Sequence, residues 1–326
     1  MPQILFTIDT EIGELTKNEK GAFEIFIEGK IGTKKFGYEL IMDLLEKYQA
    51  KGEFFVDIYP WRKIGEKKFA NLCQKIIKRG HKINLHTHPS KMFDSKRTFM
   101  HQYSQKEQIE ILKLGKKKIK QWTGKYPLAH RARGYGINQD TFKALKKVNI
   151  KYDCSYFYQN KNCHLQTEIV NRPFIHHDIL EIPVTVFCRK IKYNLLNFNI
   201  KYGKKYYQKL DLRYGVRLSE IKKVIKKTAK NDIIVIFLHS FNFLNLPYNQ
   251  REKQYLKPSV NHKIIQDFAE LIKWLSQQKN CIFTNIDKLN FKKPIKDHFQ
   301  CLKTNIPVIK KIRQIYHNKI LKRPEI

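Results

Sequence analysis

The run Ile4-Leu5-Phe6-Thr7-Ile8 constrains the fold more than any other part of the chain. It is apolar almost without interruption and does not alternate with polar residues. That pattern suits a strand covered on both faces, as in a parallel sheet packed under helices. The run ends in Asp9-Thr10-Glu11. Residues two apart on an extended chain share a side, so Asp9 and Glu11 face the same way. Two carboxylates at the mouth of a buried strand are costly unless they are paired, hydrogen-bonded or bound to a metal.

The same period applies at Leu85-His86-Thr87-His88-Pro89, where an apolar run ends in a loop. His86 and His88 aim two imidazoles at one spot, as a divalent metal requires. A lone His-x-His is a weak signal. With the carboxylates of Asp9 and Glu11 it becomes two imidazoles, one carboxylate ligand and one spare carboxylate, a constellation suited to metal-assisted hydrolysis.

The rest of the chain alternates strand and helix patterns. Helical spacing over Leu40 to Tyr48 precedes a strand at Glu53–Tyr59, and a helix from Gly65 to Lys78 precedes the strand that delivers the histidines. Ser104-x-x-Glu107 is a capping box, opening a helix that Thr123-Gly124 ends. A short strand through Leu128 and Ala129 leads to His130-Arg131-Ala132-Arg133-Gly134-Tyr135-Gly136. A helix near Asp140 to Val148, strands at Ile150–Ser155 and Ile179–Val184, and a helix at Ser219–Lys230 follow. The strongest strand, Ile233–Leu238, ends in His239. An amphipathic helix carries Ile264, Phe268, Leu271 and Leu275, and Cys281-Ile282-Phe283 closes the set. Residues 185–215, rich in Tyr and Lys, show no assignable period. The order argues for parallel β/α units. With 326 residues, the expectation is one α/β domain over residues 1–290, followed by a basic and helical C-terminal extension over 291–326.

Six cysteines form no C-x-x-C pair and read as reduced thiols. The first strand begins almost at Met1, which leaves no room for a signal peptide, and no apolar run reaches the roughly 18 residues of a membrane span. The expectation is a cytoplasmic protein, peripheral to a membrane at most. The net charge of +35, from 64 Lys and Arg against 29 Asp and Glu, favours anionic partners such as an anionic membrane surface or an acidic glycan. The charge is dispersed, and no specific nucleic acid is expected from it.

Taken in order, Asp9-Thr10-Glu11, Gly80-His81-Lys82-Ile83-Asn84-Leu85-His86-Thr87-His88-Pro89, Arg131-Ala132-Arg133-Gly134-Tyr135-Gly136, Tyr152-Asp153-Cys154-Ser155 and Leu238-His239-Ser240 resemble the motifs of the polysaccharide deacetylase family. These are the enzymes with the nodulation-type chitooligosaccharide deacetylase homology domain, or carbohydrate esterase family 4, in a His-x-His-Pro form. The resemblance covers roughly residues 3–290. It implies a distorted (β/α)7-type barrel and a divalent metal, zinc first, with cobalt, manganese and nickel as alternatives. The implied reaction removes an acetyl group, N-acetyl first, from a sugar of a polysaccharide, surface glycan or lipid-linked precursor.

Carried over residue by residue, Asp9 matches the general base and Arg131 the arginine that orients it. Thr10 stands where the family places a second Asp, and Glu11 replaces that ligand. The reverse assignment, with Asp9 as ligand and Glu11 as base, is the alternative. His86 matches the first metal histidine. Ser90 occupies the usual position of the second, so His88 serves instead. The backbone amide of Gly134 or Tyr135 takes the oxyanion position, and His239 matches the general acid. Two other readings stand beside this one: an amidohydrolase acting on a non-sugar C–N bond, and a catalytically degenerate barrel that binds anionic glycan or nucleic acid.

Overall fold

The structure is a computed structural model that describes residues 2–13, 21–167, 169–190, 193–195, 198–200, 205–228, 232–249, 254–255 and 257–290. Its centre is a curled sheet of parallel strands: β1 (Gln3–Thr10), β2 (Gly52–Asp57), β3 (Lys82–Thr87), β4 (Ala129–Ala132), β5 (Tyr152–Asp153), β6 (Ile179–Glu181) and β7 (Ile233–His239). Their spatial order is β7-β1-β2-β3-β4-β5-β6. The crossovers carry α1 (Tyr38–Glu46), α2 (Glu66–Lys78), α3 (Gln105–Thr123), α4 (Gln139–Lys147) and α5 (Leu218–Lys227). After β7 come α6 (His262–Ser276) and β8 (Ile282–Phe283). The short strand β8 returns beside Gln3 and Ile4 of β1, while β2 takes β1 from Phe6 onward. The expected distorted (β/α)7-type barrel is thus present as a parallel half-barrel.

β6 and β7 do not share a ladder, and other segments fill the seam between them. The Val235 amide donates to Thr185 Oγ1 at 2.8 Å, and the Phe237 amide to the Leu210 carbonyl at 3.0 Å. Both acceptors lie in the stretch without sequence period. There the chain forms an antiparallel ribbon, Val186–Lys190 against Lys205–Lys209, followed by a turn at Leu212–Tyr214. The helix expected from Gly65 to Lys78 is present as Glu66–Lys78, and Gly65, at φ +115°, separates it from a short turn at Trp61–Ile64. The proposed extension from residue 291 onward lies outside the described residues.

Period two divides every strand. Ile4, Phe6 and Ile8 of β1, and Ile234, Ile236 and Leu238 of β7, pack outward against the helices. Leu5, Phe55, Ala129, Cys154, Ile182 and Val235 fill the barrel interior. The helices dock closely. Gly115 of α3 lies over β3, where an added Cβ would stand 2.5 Å from a Leu85 methyl and 2.8 Å from Tyr59 Oη. Tyr59 is held by its bond to the Ile111 carbonyl at 2.9 Å. Gly115→Ala should therefore destabilise the protein by about 1–2 kcal/mol in urea unfolding. Overpacking here exceeds the roughly 1 kcal/mol that alanine gains as a helix former.

His81 fixes the start of β2. Its Nδ1 accepts from the Gly52 amide at 2.9 Å and its Nε2 stands 2.8 Å from Glu46 Oε1. Accepting at Nδ1 requires a neutral ring, and burial pushes its pKa down to about 4 despite Glu46. A histidine with a depressed folded pKa contributes stability above the unfolded value of about 6.5, and loses it as pH falls toward the folded value. Unfolding free energy should fall between pH 6.5 and 4, and His81→Asn should flatten that slope in denaturant titrations across the range.

Candidate metal centre and active site

The strand register delivers the site. Asp9 lies beside His239 on one side and Phe55 on the other. His86 lies between Asp57 and Arg131. Neighbours in register on parallel strands point to the same face, so these side chains converge at the C-terminal mouth of the barrel. Asp9 and Glu11 share that face, as the period requires. Thr10 points away, and its hydroxyl bonds to the Ile8 carbonyl at 3.3 Å.

Glu11, His86 and His88 form one buried cluster. Glu11 Oε2 lies 2.9 Å from His86 Nε2 and 2.6 Å from His88 Nε2, and the two Nε2 atoms are 3.0 Å apart. Atoms sharing one tetrahedral ion at about 2.0–2.1 Å stand roughly 3.3 Å apart, so a small opening of this cluster would turn it into a ligand set. The tautomer suits a metal as well. His86 Nδ1–H donates to the Arg131 carbonyl at 2.8 Å, which leaves the Nε2 lone pair toward Glu11. Glu11 Oε1 and His88 Nδ1 have no hydrogen-bond partner among the described residues. Burial works against the Glu11 carboxylate, yet His88 and His86 hold its pKa well below the usual range. Burial pushes His88 well below the usual histidine value, with Lys91 adding to the effect, while Asp9 and Glu11 raise His86 against its burial.

The other carboxylates of the mouth each have a cation. Arg131 Nη1 donates to Asp9 Oδ1 at 2.7 Å. Lys91 Nζ lies 2.7 Å from Asp57 Oδ2, and Lys209 Nζ lies 3.5 Å from Asp211 Oδ2. Among the described residues Glu11 pairs with imidazoles only. Its one remaining neighbour in the ring is His239, whose Nε2 lies 3.9 Å from Oε1, with Asp211 Oδ2 3.8 Å from Nδ1 on the other side. Burial, reinforced by Lys209, pushes the His239 pKa well down, so the ring is neutral.

Arg131 is fully buried. Besides Asp9 it binds the Cys154 carbonyl through Nε at 2.9 Å, and its guanidinium packs over the Phe55 and Phe237 rings at 4.2 and 4.9 Å. Glu181 does not pair with Arg131; it accepts from the Tyr156 amide at 2.9 Å. Gly134 and Tyr135 form the turn after β4, both at positive φ, +53° and +65°. Three features of the mouth were not read from the sequence. Asp57 ends β2 as Asp9 ends the apolar run of β1, so the strand-end rule could have found it. Lys209 and Asp211 lie where no period exists. Behind the histidines, His130 bonds Thr87 Oγ1 at 2.9 Å and Asp153 Oδ1 at 2.7 Å, on the opposite face of β3 and β4.

Residues 29–152 match the family model described as Polysaccharide deacetylase, a span that holds His86, His88 and Arg131. No curated protein matches by sequence. A solved structure from Mycobacterium smegmatis, assigned to the polysaccharide deacetylases, superposes with a TM-score of 0.54 at 14% identity, over 90% of this chain and 94% of that one. A 4-alpha-glucanotransferase from Thermococcus litoralis gives the same TM-score, 0.54, at 12% identity, over 88% of this chain and 40% of that one. A family 4 carbohydrate esterase from Streptomyces lividans in complex with acetate gives 0.43 at 10% identity, over 87% and 93%. The fold is that of the deacetylase (β/α) barrels, and over residues 29–152 the chain is similar to the polysaccharide deacetylase family.

Removing the guanidinium tests how the mouth is held. Arg131→Met leaves the Asp9 carboxylate buried without its cation, and should cost about 3–5 kcal/mol in chemical unfolding. Asp9→Asn combined with Arg131→Met should cost less than Arg131→Met alone, because the stranded charge is then gone.

Proposed function

We propose that the protein is a metal-dependent deacetylase that hydrolyses an N-acetyl group on a sugar of a polysaccharide, surface glycan or lipid-linked precursor. The observation that carries this reading is the Glu11–His86–His88 cluster. Among the described residues Glu11 alone of the four carboxylates in the mouth has no Lys or Arg beside it, and a divalent metal would supply that charge. Two imidazoles and one carboxylate suit zinc first, with cobalt, manganese or nickel as alternatives. A cation held there polarises an acetyl carbonyl and acidifies a water.

The chain's own residues then divide the work. Arg131 fixes Asp9 through Oδ1 and leaves Oδ2 on the side of His86, so Asp9 takes the proton of the attacking water. The backbone amides of the Gly134–Tyr135 turn face the negative charge that develops on the carbonyl oxygen; one such donor is worth about 10²–10³-fold in rate. His239, neutral at rest, takes up a proton and passes it to the departing amine nitrogen. One water adds across the C–N bond, giving acetate and the free amine. Glu11 is already committed to both imidazoles, which favours Asp9 as base and Glu11 as ligand over the reverse.

We place the reaction in the cytoplasm on the strength of thiol usage: Cys73, Cys154, Cys163, Cys188 and Cys281 are all free. Among the described residues no helix is long and apolar enough to cross a membrane. The net charge of +35 fits a substrate presented at an anionic surface.

Metal analysis of the purified protein tests the reading first. Close to one transition-metal ion per chain is expected, and its loss in the His86→Ala/His88→Ala double variant. Asp9→Asn should keep the metal and slow turnover of acetylated chito-oligosaccharides by about 10²–10⁴-fold. A parent protein that takes up no metal after incubation with zinc or cobalt would overturn the proposal.

A further inference from the structure

The turn after β4, which carries the oxyanion amide of the mechanism above, is built from strained backbone. Gly134 holds φ +53° and Tyr135 φ +65°, and the second is a region that a bulky residue enters only at a cost. Rotating the single peptide between the two would return Tyr135 to negative φ and relieve that cost. The same rotation would turn the Tyr135 N–H away from its present direction. The Tyr135 ring packs against Phe157 and Phe237, with centroids at 4.9 and 6.2 Å. Those contacts anchor the side chain and leave the peptide to be held by other means.

Asn162 holds it. Its Nδ2 donates to the Gly134 carbonyl at 3.2 Å, and that carbonyl belongs to the peptide whose nitrogen is that of Tyr135. In a trans peptide the C=O and N–H point opposite ways, so Asn162 stands on the side away from the N–H. Among the described residues no other segment takes the Tyr135 amide. Asn162 is itself seated in a turn: its amide donates to Asn160 Oδ1 at 2.9 Å, and the Cys163 amide donates to the Asn160 carbonyl at 3.1 Å. Two segments then close on the turn. The His164 amide donates to the Ile137 carbonyl at 2.8 Å, and the His101 amide to the Gly136 carbonyl at 3.0 Å. The two imidazoles meet with centroids 4.0 Å apart, and Phe99 stacks on His101 at 5.5 Å. The contact is tight, since a Cβ on Gly134 would stand 2.8 Å from Phe99 Cε1 and 3.3 Å from Asn162 Nδ2.

We infer that Asn162 is a positioning residue for the oxyanion: by holding the Gly134 carbonyl it keeps the Tyr135 N–H aimed at the acetyl oxygen and strengthens it as a donor. The strengthening follows from cooperativity, because a peptide whose carbonyl accepts a hydrogen bond gives a stronger one from its nitrogen. Both effects grow with the charge on the acetyl oxygen, so they fall on the transition state. The inference rests on the deacetylase reading, and it selects the Tyr135 amide over that of Gly134 as the donor.

The test compares the metal-loaded parent with Asn162→Ala and with Asn162→Asp, which keeps the shape and loses the donor. Isotope labelling of the tyrosine nitrogens reads the turn by NMR without any reaction. The Tyr135 amide proton should move upfield in both variants as its peptide loses polarisation. On an acetylated chito-oligosaccharide both variants should retain metal and melting temperature and lower kcat about 10-fold, less than the roughly 10²–10³-fold for losing a donor outright. KM should stay within about threefold, as for an interaction made only in the transition state. Turnover by the parent carries the deacetylase reading, and the ratio of variant to parent carries this one. Unchanged kcat in both variants, or a Tyr135 amide that does not move, overturns the inference and leaves the deacetylase reading standing. A loss confined to KM also overturns it, since the contact then acts on the ground state. A metal-loaded parent without turnover overturns both readings.

Discussion

The mouth of the barrel depends on one buried guanidinium. Arg131 reaches across the interior to Asp9, anchors to the Cys154 carbonyl and rests on two aromatic faces. Its own carbonyl receives His86 Nδ1–H. A single residue on β4 thereby orients the candidate base, sets the tautomer of a candidate ligand and covers the apolar core beneath both. Desolvating a guanidinium is expensive unless its donors are satisfied. Here the short β4 strand, only Ala129–Ala132, puts that cost where position matters most.

Charge pairing gives the mouth its logic. Four carboxylates gather at the strand ends, and burial opposes each of them. Three are balanced by Arg131, Lys91 and Lys209, which arrive from three different segments. The balancing is local, so each cation also shapes its surroundings. Burial depresses His88 and His239, and Lys91 and Lys209 add to it in turn. Glu11, without a cation of its own, is left with two imidazoles whose lone pairs converge on it. Burial opposes its charge, yet His88 and His86 hold its pKa low, which keeps the carboxylate ionised.

What the sequence made legible follows from periodicity. The alternation in β1 and β3 put Asp9 with Glu11 and His86 with His88 before any coordinates, because extended backbone fixes side-chain direction. The capping box at Ser104 and Glu107 is present as read, Ser104 Oγ taking the Glu107 amide. Arg131 and His239 became legible only through the order of motifs, since a lone Arg or His at a strand end has many uses. Lys209 and Asp211 were not legible. They sit in a ribbon whose Tyr and Lys residues carry no apolar period, and they reach the site only because the β6–β7 seam needs a filler. The Tyr135 side chain was hidden for another reason: its direction is set by two successive positive φ angles, which no residue pattern at Arg133-Gly134-Tyr135 dictates.

The two departures from the family pattern in the first and second motifs have one physical explanation. Ligands drawn from a strand end must be two residues apart to share a face. Glu11 in place of Thr10, and His88 in place of Ser90, both obey that spacing. Ligands four apart need a turn of helix between them; here His88 still lies at the strand end, and the turn begins only at Pro89. With both spacings changed, Glu11, His86 and His88 each offer one atom that could hold a metal, and these atoms lie within 4.8 Å of one another. The two altered motifs thus meet in a single buried cluster.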